Sequence, residues 1–154
     1  KKYIPGFENA YFDRVAPFMG IRETRRLVGE YILTEQDIFD CAKFEDSIAV
    51  SAYPVDQHHP VGGDCTLMWC PDCHDIPYRS LLPKKIDSLI VAGRCISATH
   101  LALASVRVMG PAMATGEAAG KAAALSVKYN VQLRDLDVAV LQTALREEGV
   151  YLRD

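Results

Sequence analysis

The side chains able to do chemistry in this chain gather in three places. The first is the run from His58 to His74. His58 and His59 are adjacent imidazoles, Cys65 follows, and Cys70-Pro71-Asp72-Cys73-His74 closes the run. A C-x-x-C pair offers two thiolates at zinc spacing, with Cys65 or His74 to complete the set, so Cys65, Cys70, Cys73 and His74 are the candidate metal ligands. The same residues also read as a redox dithiol, as a haem-attachment C-x-x-C-H in an exported protein, or as ordinary loop thiols. The second place is Arg22, Arg25 and Arg26. These bind an acidic substrate group or pair with nearby carboxylates; on a strand, Arg22 and Arg26 would share one face and Arg25 the other. The third place holds Arg79, Arg94, His100 and Arg107. Histidines His58, His59 and His100 are candidate acids or bases for chemistry near neutral pH. His59 and His74 also fit ordinary loop positions.

The elements that must position these groups are legible from pattern. Residues 20–33 read as loop, strand, tight turn at Gly29, strand. Thr34 starts a helix with Asp37 in its first turn, running to about Lys43. Ser47 to Tyr53 is a strand, residues 54–75 are turn-rich, and Ile76 to Arg79 is extended. Ser88-Leu89-Ile90-Val91-Ala92 before Gly93 suits a strand buried on both faces, as in a parallel sheet. A connection carrying His100 and Arg107 leads to Gly110-Pro111 and a helix from about Ala112 to Tyr129, with Pro111 at its first position. Gly116 and Gly120 share a face of that helix and predict close packing of it on a sheet. A last amphipathic helix spans about Asp137 to Glu148, closed by Gly149.

Composition narrows the classes. The chain has 154 residues, 49% hydrophobic, and a net charge of −3. That excludes a disordered chain and a basic nucleic-acid binder. No apolar run approaches the ~18 residues that cross a bilayer, and no apolar signal region opens the sequence. Five cysteines cannot all pair within one chain, which predicts reduced thiols and a cytoplasmic protein. Length predicts one adequate core. Ten glycines are present but no G-x-G-x-x-G, so there is no pyrophosphate cradle after a first strand.

Four ordered blocks carry a resemblance. They are Gly20 to Gly29; Tyr53-Pro54-Val55-Asp56 with His58; Ile76-Pro77-Tyr78-Arg79-Ser80-Leu81-Leu82-Pro83; and Leu89 to His100 continuing through Ser105-Val106-Arg107-Val108-Met109 to Gly116-Glu117-Ala118-Ala119-Gly120. Together they resemble the C-terminal portion of FAD-dependent oxidoreductases of the two-dinucleotide-binding-domain flavoprotein superfamily. The resemblance covers about residues 20 to 130. It implies that Gly93-Arg94 leads to the flavin and that the helix after Gly110-Pro111 aims its N-terminus at the flavin's pyrimidine edge.

The expectations follow. The fold is α/β, or α+β as a fragment: residues 1–83 form a β-rich part of a substrate or cap domain, and 84–154 the C-terminal strand–helix portion of a Rossmann-like FAD-binding domain. The resemblance implies FAD as cofactor, held on this side by Gly93, Arg94, Gly110, Pro111, Ala112 and Met113. His58, His100 and Arg107 lie in or between matched blocks and are the expected catalytic residues. The expected partners are a small-molecule substrate and the N-terminal FAD-binding portion of the same enzyme, with self-association of this piece and with no nucleic acid or membrane. A fragment of this kind would be inactive alone. The rival reading is a non-enzymatic zinc-binding or interaction module built on the Cys65–His74 loop.

Overall fold

The computed structural model describes residues 2–59 and 65–153. In chain order the elements are α1 (Glu35–Phe39), β1 (Ser47–Ser51), β2 (Val55–His58), β3 (Cys65–Met68), β4 (His74–Pro77), α2 (His100–Val106), α3 (Met109–Tyr129) and α4 (Val138–Glu147). The mixed α/β class is as expected. The described strands all lie in the N-terminal half, and they pair only as two antiparallel ribbons, β1 with β4 and β2 with β3.

Local sequence explains the elements that came out as read. Thr34 accepts a hydrogen bond from the Asp37 amide, and the Asp37 carboxylate accepts one from the Thr34 amide at 2.8 Å. This reciprocal cap satisfies two otherwise orphaned donors. The helix stops at Phe39, short of Lys43, and Cys41 takes a φ of +53° that no right-handed helix accommodates. Asp137 caps α4 by accepting from the Ala139 amide, Leu141 and Leu145 face inward, and Gly149 leaves the helix at φ +91°. β1 pairs with β4 through a register shift between Ser47 and Ala49. α3 lies on β1. One hydrophobic cluster joins both halves of the chain through Ile38, Ile48, Ile76, Leu103, Ala122 and Leu145.

Other elements differ from the reading. The turn-rich stretch 54–75 holds the β2–β3 hairpin and the start of β4; its residues 60–64 lie outside the described residues. Only Val55 is apolar in β2, so no alternating pattern marked it. The connection before the long helix is itself mostly helix, α2, capped by the Thr99 hydroxyl accepting from the Ala102 amide. α3 starts at Met109, which makes Pro111 its third residue. Proline is tolerated there too, because the N–H groups of the first turn have no partner within the helix.

The expected strand at 88–92 does not form. Ser88 takes φ +56°, Leu89 is 41% exposed, and Val91 donates to the Leu81 carbonyl at 3.0 Å. A strand buried on both faces needs ladder partners on both sides, and among the described residues none flanks it. The Gly116 and Gly120 expectation is also corrected. Apart from the helix's own neighbouring backbone, no described atom stands within 4 Å of where a Cβ would be at either residue; Ala118, Ala122 and Leu125 make the inward face instead.

Gly29 is not a hairpin turn. It bridges to Pro83, and its amide donates to the Ser97 hydroxyl at 3.0 Å. A Cβ there would stand 2.7 Å from the Ser97 Cβ and 3.1 Å from the Leu82 carbonyl oxygen. The neighbours are backbone and a buried side chain, so they cannot yield cheaply. Gly29→Ala is therefore expected to destabilise the fold by about 1–3 kcal/mol. Urea unfolding checks this, and an unchanged midpoint would contradict it.

Candidate functional site

The site is built on the β2–β3 hairpin. Asp56 and His58 stand two residues apart on β2 and so share a face. His58 pairs directly with Cys65 across the ribbon, which brings Cys65 to that face as well. The Cys65 thiol donates to Asp56 Oδ1 at 2.7 Å, and His58 Nε2 lies 3.1 Å from the same carboxylate. The thiol hydrogen bond, then His58 and Arg107, hold the Asp56 carboxyl below its ordinary range, although burial opposes them. The same bond pushes the Cys65 thiol up.

Arg107, at the end of α2, ties this hairpin to the N-terminal segment. Its side chain is 9% exposed. Its Nη2 donates to the Asp56 backbone carbonyl at 2.8 Å, and its Nη1 stands 3.5 Å from Glu23. Glu23 also meets His100 Nδ1 at 2.9 Å and Arg26 at 3.0 Å. One carboxylate thus gathers three cationic or titratable groups. Neither Glu23 nor Asp56 was picked out from sequence; the Asp-x-His spacing on a strand was the available signal for Asp56.

Between these groups and α3 lies a cleft of about 630 Å³. Arg22, Arg94 and Arg107 line it together with Asp56 and Tyr53, and with Val108, Met109 and Ala112 at the start of α3. Arg94 donates to the Ile21 carbonyl at 2.6 Å and has no carboxylate partner among the described residues. The lining therefore carries three guanidinium groups against one carboxylate, which favours an anionic guest. Gly93 enters the adjoining turn at φ +66°, a backbone conformation suited to glycine, and its amide donates to Thr115 Oγ1 at 3.0 Å. That bond fixes the Gly93–Cys95 turn against α3.

These contacts sort the expected site residues. Arg94, Arg107 and Ala112 line the cleft, and Gly93 anchors its wall. Gly110 and Pro111 line a neighbouring groove with Tyr53 and Trp69. Met113 points outward, 74% exposed. Neither His58 nor His100 lines the cleft: His58 meets Asp56, which does, and exposed His100 meets Glu23, which also holds Arg107. Arg22 reaches the hairpin, with Nη1 2.7 Å from His58 Nε2. Arg79 does not belong to the site: it forms a two-point pair with Asp46 at 2.9 and 3.0 Å.

A family model described as FAD dependent oxidoreductase matches residues 1–145. The chain belongs to that family. No curated protein and no solved structure matches it. Membership of the FAD dependent oxidoreductases makes this a flavin-dependent oxidoreductase in kind and accounts for the blocks from Gly20 to Gly120. No helix among the described residues is long and apolar enough to cross a membrane.

The zinc set expected at Cys65, Cys70, Cys73 and His74 is not brought together. Cys65 joins Asp56 and His58, the one such group among the described residues. The Cys70–Cys73 loop turns toward α1's end, where the Asp72 amide meets Cys41 Sγ at 3.2 Å. His74 is fully buried on β4. The rival module reading loses its ligand set with this. Arg153 closes the region: it pairs with buried Asp75 at 2.7 Å and donates to the Cys73 and Cys41 carbonyls at 2.8 and 3.1 Å.

Burial, and then the nearby Arg153 charge, push the His74 imidazole down to about 4. Its Nδ1 has no hydrogen-bond partner among the described residues. In the unfolded chain the same imidazole titrates near 6.5, at about its unperturbed value. Between these values the unfolded chain binds a proton that the folded chain refuses, so stability held above pH 6.5 erodes as the pH falls toward 4. The contribution is about 3 kcal/mol. Urea unfolding of wild type and His74→Leu at pH 7 and pH 4 is expected to show a pH-dependent loss smaller by that amount in the variant. Equal losses would contradict it.

Proposed function

We propose that this chain supplies the flavin-facing and substrate-side part of an FAD-dependent oxidoreductase that moves a hydride or electron pair between flavin and a small substrate. The observation that carries the reading is the cleft itself. It places Arg94, Arg107 and the first turn of α3 around one space, in a chain of a flavin-dependent family. The residues fit the cofactor. The amides of Met109 and Gly110 lack acceptors inside α3, because Val108 is the cap and the first intrahelical bond to it comes from Ala112. A helix N-terminus carries about half a positive charge, and it suits the electron-rich edge of a flavin.

When bound, FAD supplies the two-electron chemistry. The chain's own residues do the rest. Met109, Ala112 and Arg94, which line the cleft, would hold the pyrimidine side, with the Gly110 amide at the start of α3 and Gly93 in the adjoining turn. Arg107 and Arg22 hold an anionic or carbonyl oxygen of the substrate. His58, held by Asp56, and His100, held by Glu23, each offer an imidazole able to hold a proton.

The dinucleotide cradle comes, on this reading, from another portion of the same enzyme, so this chain is inactive alone. The support is unpartnered apolar surface: Met113 is 74% and Val127 83% exposed on α3, and Phe12 and Phe18 are 92% and 85% exposed near the N-terminus. Surface of this kind favours docking, or self-association when the dock is absent. The division into a substrate part at 1–83 and an FAD-binding part at 84–154 belongs to the same proposal. Five free cysteines fit a reducing, cytoplasmic compartment.

The test is a potentiometric titration of the flavin-loaded enzyme. Ala112→Asp places a carboxylate in the cleft beside the reduced, anionic flavin edge. A partly buried charge contact of about 1–2 kcal/mol converts, at about 30 mV per 1.4 kcal/mol for two electrons, to a midpoint lowered by about 20–40 mV. An unchanged or raised midpoint, with FAD held equally, would mean that α3 does not face the flavin.

A further inference from the structure

We infer that Asp56, His58 and Cys65 form a three-ligand site for a divalent transition metal of the zinc type with its fourth position open, beside the cleft that Asp56 also lines. Their donor atoms all lie within 4.8 Å of one another. Bonds of about 2.0–2.3 Å in a tetrahedral zinc centre set its donors roughly 3.3–3.8 Å apart. The side chains thus need to move by only about 1 Å, within their rotamer freedom. The backbone already fixes the set. Asp56 and His58 share a strand face, and Cys65 is the cross-strand partner of His58.

The present contacts of His58 are in conflict, and a metal resolves them. Its Nε2 lies 2.7 Å from Arg22 Nη1, which can only donate. It also lies 3.1 Å from the Asp56 carboxylate, which when ionised can only accept. A single ring nitrogen cannot serve both. With an ion between them, the Nε2 lone pair and the Asp56 oxygen both point at the metal. Arg22, whose side chain is 54% exposed, swings toward the cleft. The Cys65–Asp56 hydrogen bond is the proton-filled form of the same contact.

Ligand chemistry selects the ion. A thiolate, an imidazole and a carboxylate suit zinc or cobalt, whereas calcium and magnesium prefer all-oxygen sets. Binding breaks the Cys65 S–H bond, forms the sulfur–metal bond and releases that proton to solvent; His58 binds neutral and nothing is oxidised or reduced. The thiolate and Asp56 together neutralise a divalent ion, so Arg22 and Arg107 face a neutral centre. The open fourth position can take water or a substrate oxygen from the cleft. His58 then serves as a ligand, which leaves His100 as the histidine for proton transfer. The inference does not rest on the flavin reading, since every ligand lies in the hairpin.

The experiment is an anaerobic cobalt(II) titration of the reduced 154-residue protein, followed by visible and near-ultraviolet absorption. The expected result is a thiolate-to-cobalt charge-transfer band saturating at one equivalent and displaced by zinc. Cys65→Ser should abolish it with circular dichroism unchanged. Asp56→Asn and His58→Gln should each weaken the affinity at least tenfold. The Cys70→Ser/Cys73→Ser double variant should retain the band. No band in the wild type with all thiols titratable overturns the inference. So does a band that survives Cys65→Ser, one lost in the Cys70→Ser/Cys73→Ser variant, or an affinity unchanged in Asp56→Asn and His58→Gln.

Discussion

A guanidinium group inside a protein must be satisfied on several sides at once, and the site depends on how Arg107 meets that demand. Its side chain is nearly out of water, so leaving its donors unpaired would cost several kcal/mol. The Asp56 carbonyl and the Glu23 carboxylate supply the partners. These two groups come from segments far apart in sequence. Satisfying Arg107 therefore pins β2 and the N-terminal stretch around Glu23 to the junction between α2 and α3. The cleft is the space left between those three pieces.

The same constraint explains the charge balance of the site. Glu23 is taken up by Arg26, His100 and Arg107, and Asp56 is shared with Cys65 and His58. The acids are occupied with holding the walls. Arg94, tied only to a backbone carbonyl, stays available to a guest. A cleft lined in this way recognises negative charge although the chain as a whole carries −3. The local arrangement of charges decides the guest, and the net charge does not.

The sequence made legible what local chemistry determines. The Thr34–Asp37 cap and the Gly149 exit were visible as residue types at fixed offsets, and both stand in the structure. Arg94, Arg107 and Ala112 were visible through family resemblance, and the fold brings them to one cleft. What depends on partners was not legible. The apolar run at 88–92 has a strand's composition, but a strand needs neighbours, and no described residue ladders with it. The β2–β3 hairpin was hidden because its exposed residues do not alternate in polarity. The cysteine run misled for a related reason: C-x-x-C spacing brings Cys70 and Cys73 near each other in sequence, whereas ribbon register sends Cys65 to Asp56 and His58 instead. His74 faced inward on β4 and left the run altogether.

The central claim is that the Gly93–Cys95 turn and the first turn of α3 face the flavin. Amide hydrogen exchange of the enzyme with and without bound FAD tests it most directly, because the Met109 and Gly110 amides have no partner inside α3. The account predicts slowed exchange on FAD binding at the amides of residues 93–95, 109, 110 and 112, with those of 70, 72 and 73 unchanged. Unaltered exchange at both turns, in an enzyme shown to hold FAD, would contradict it.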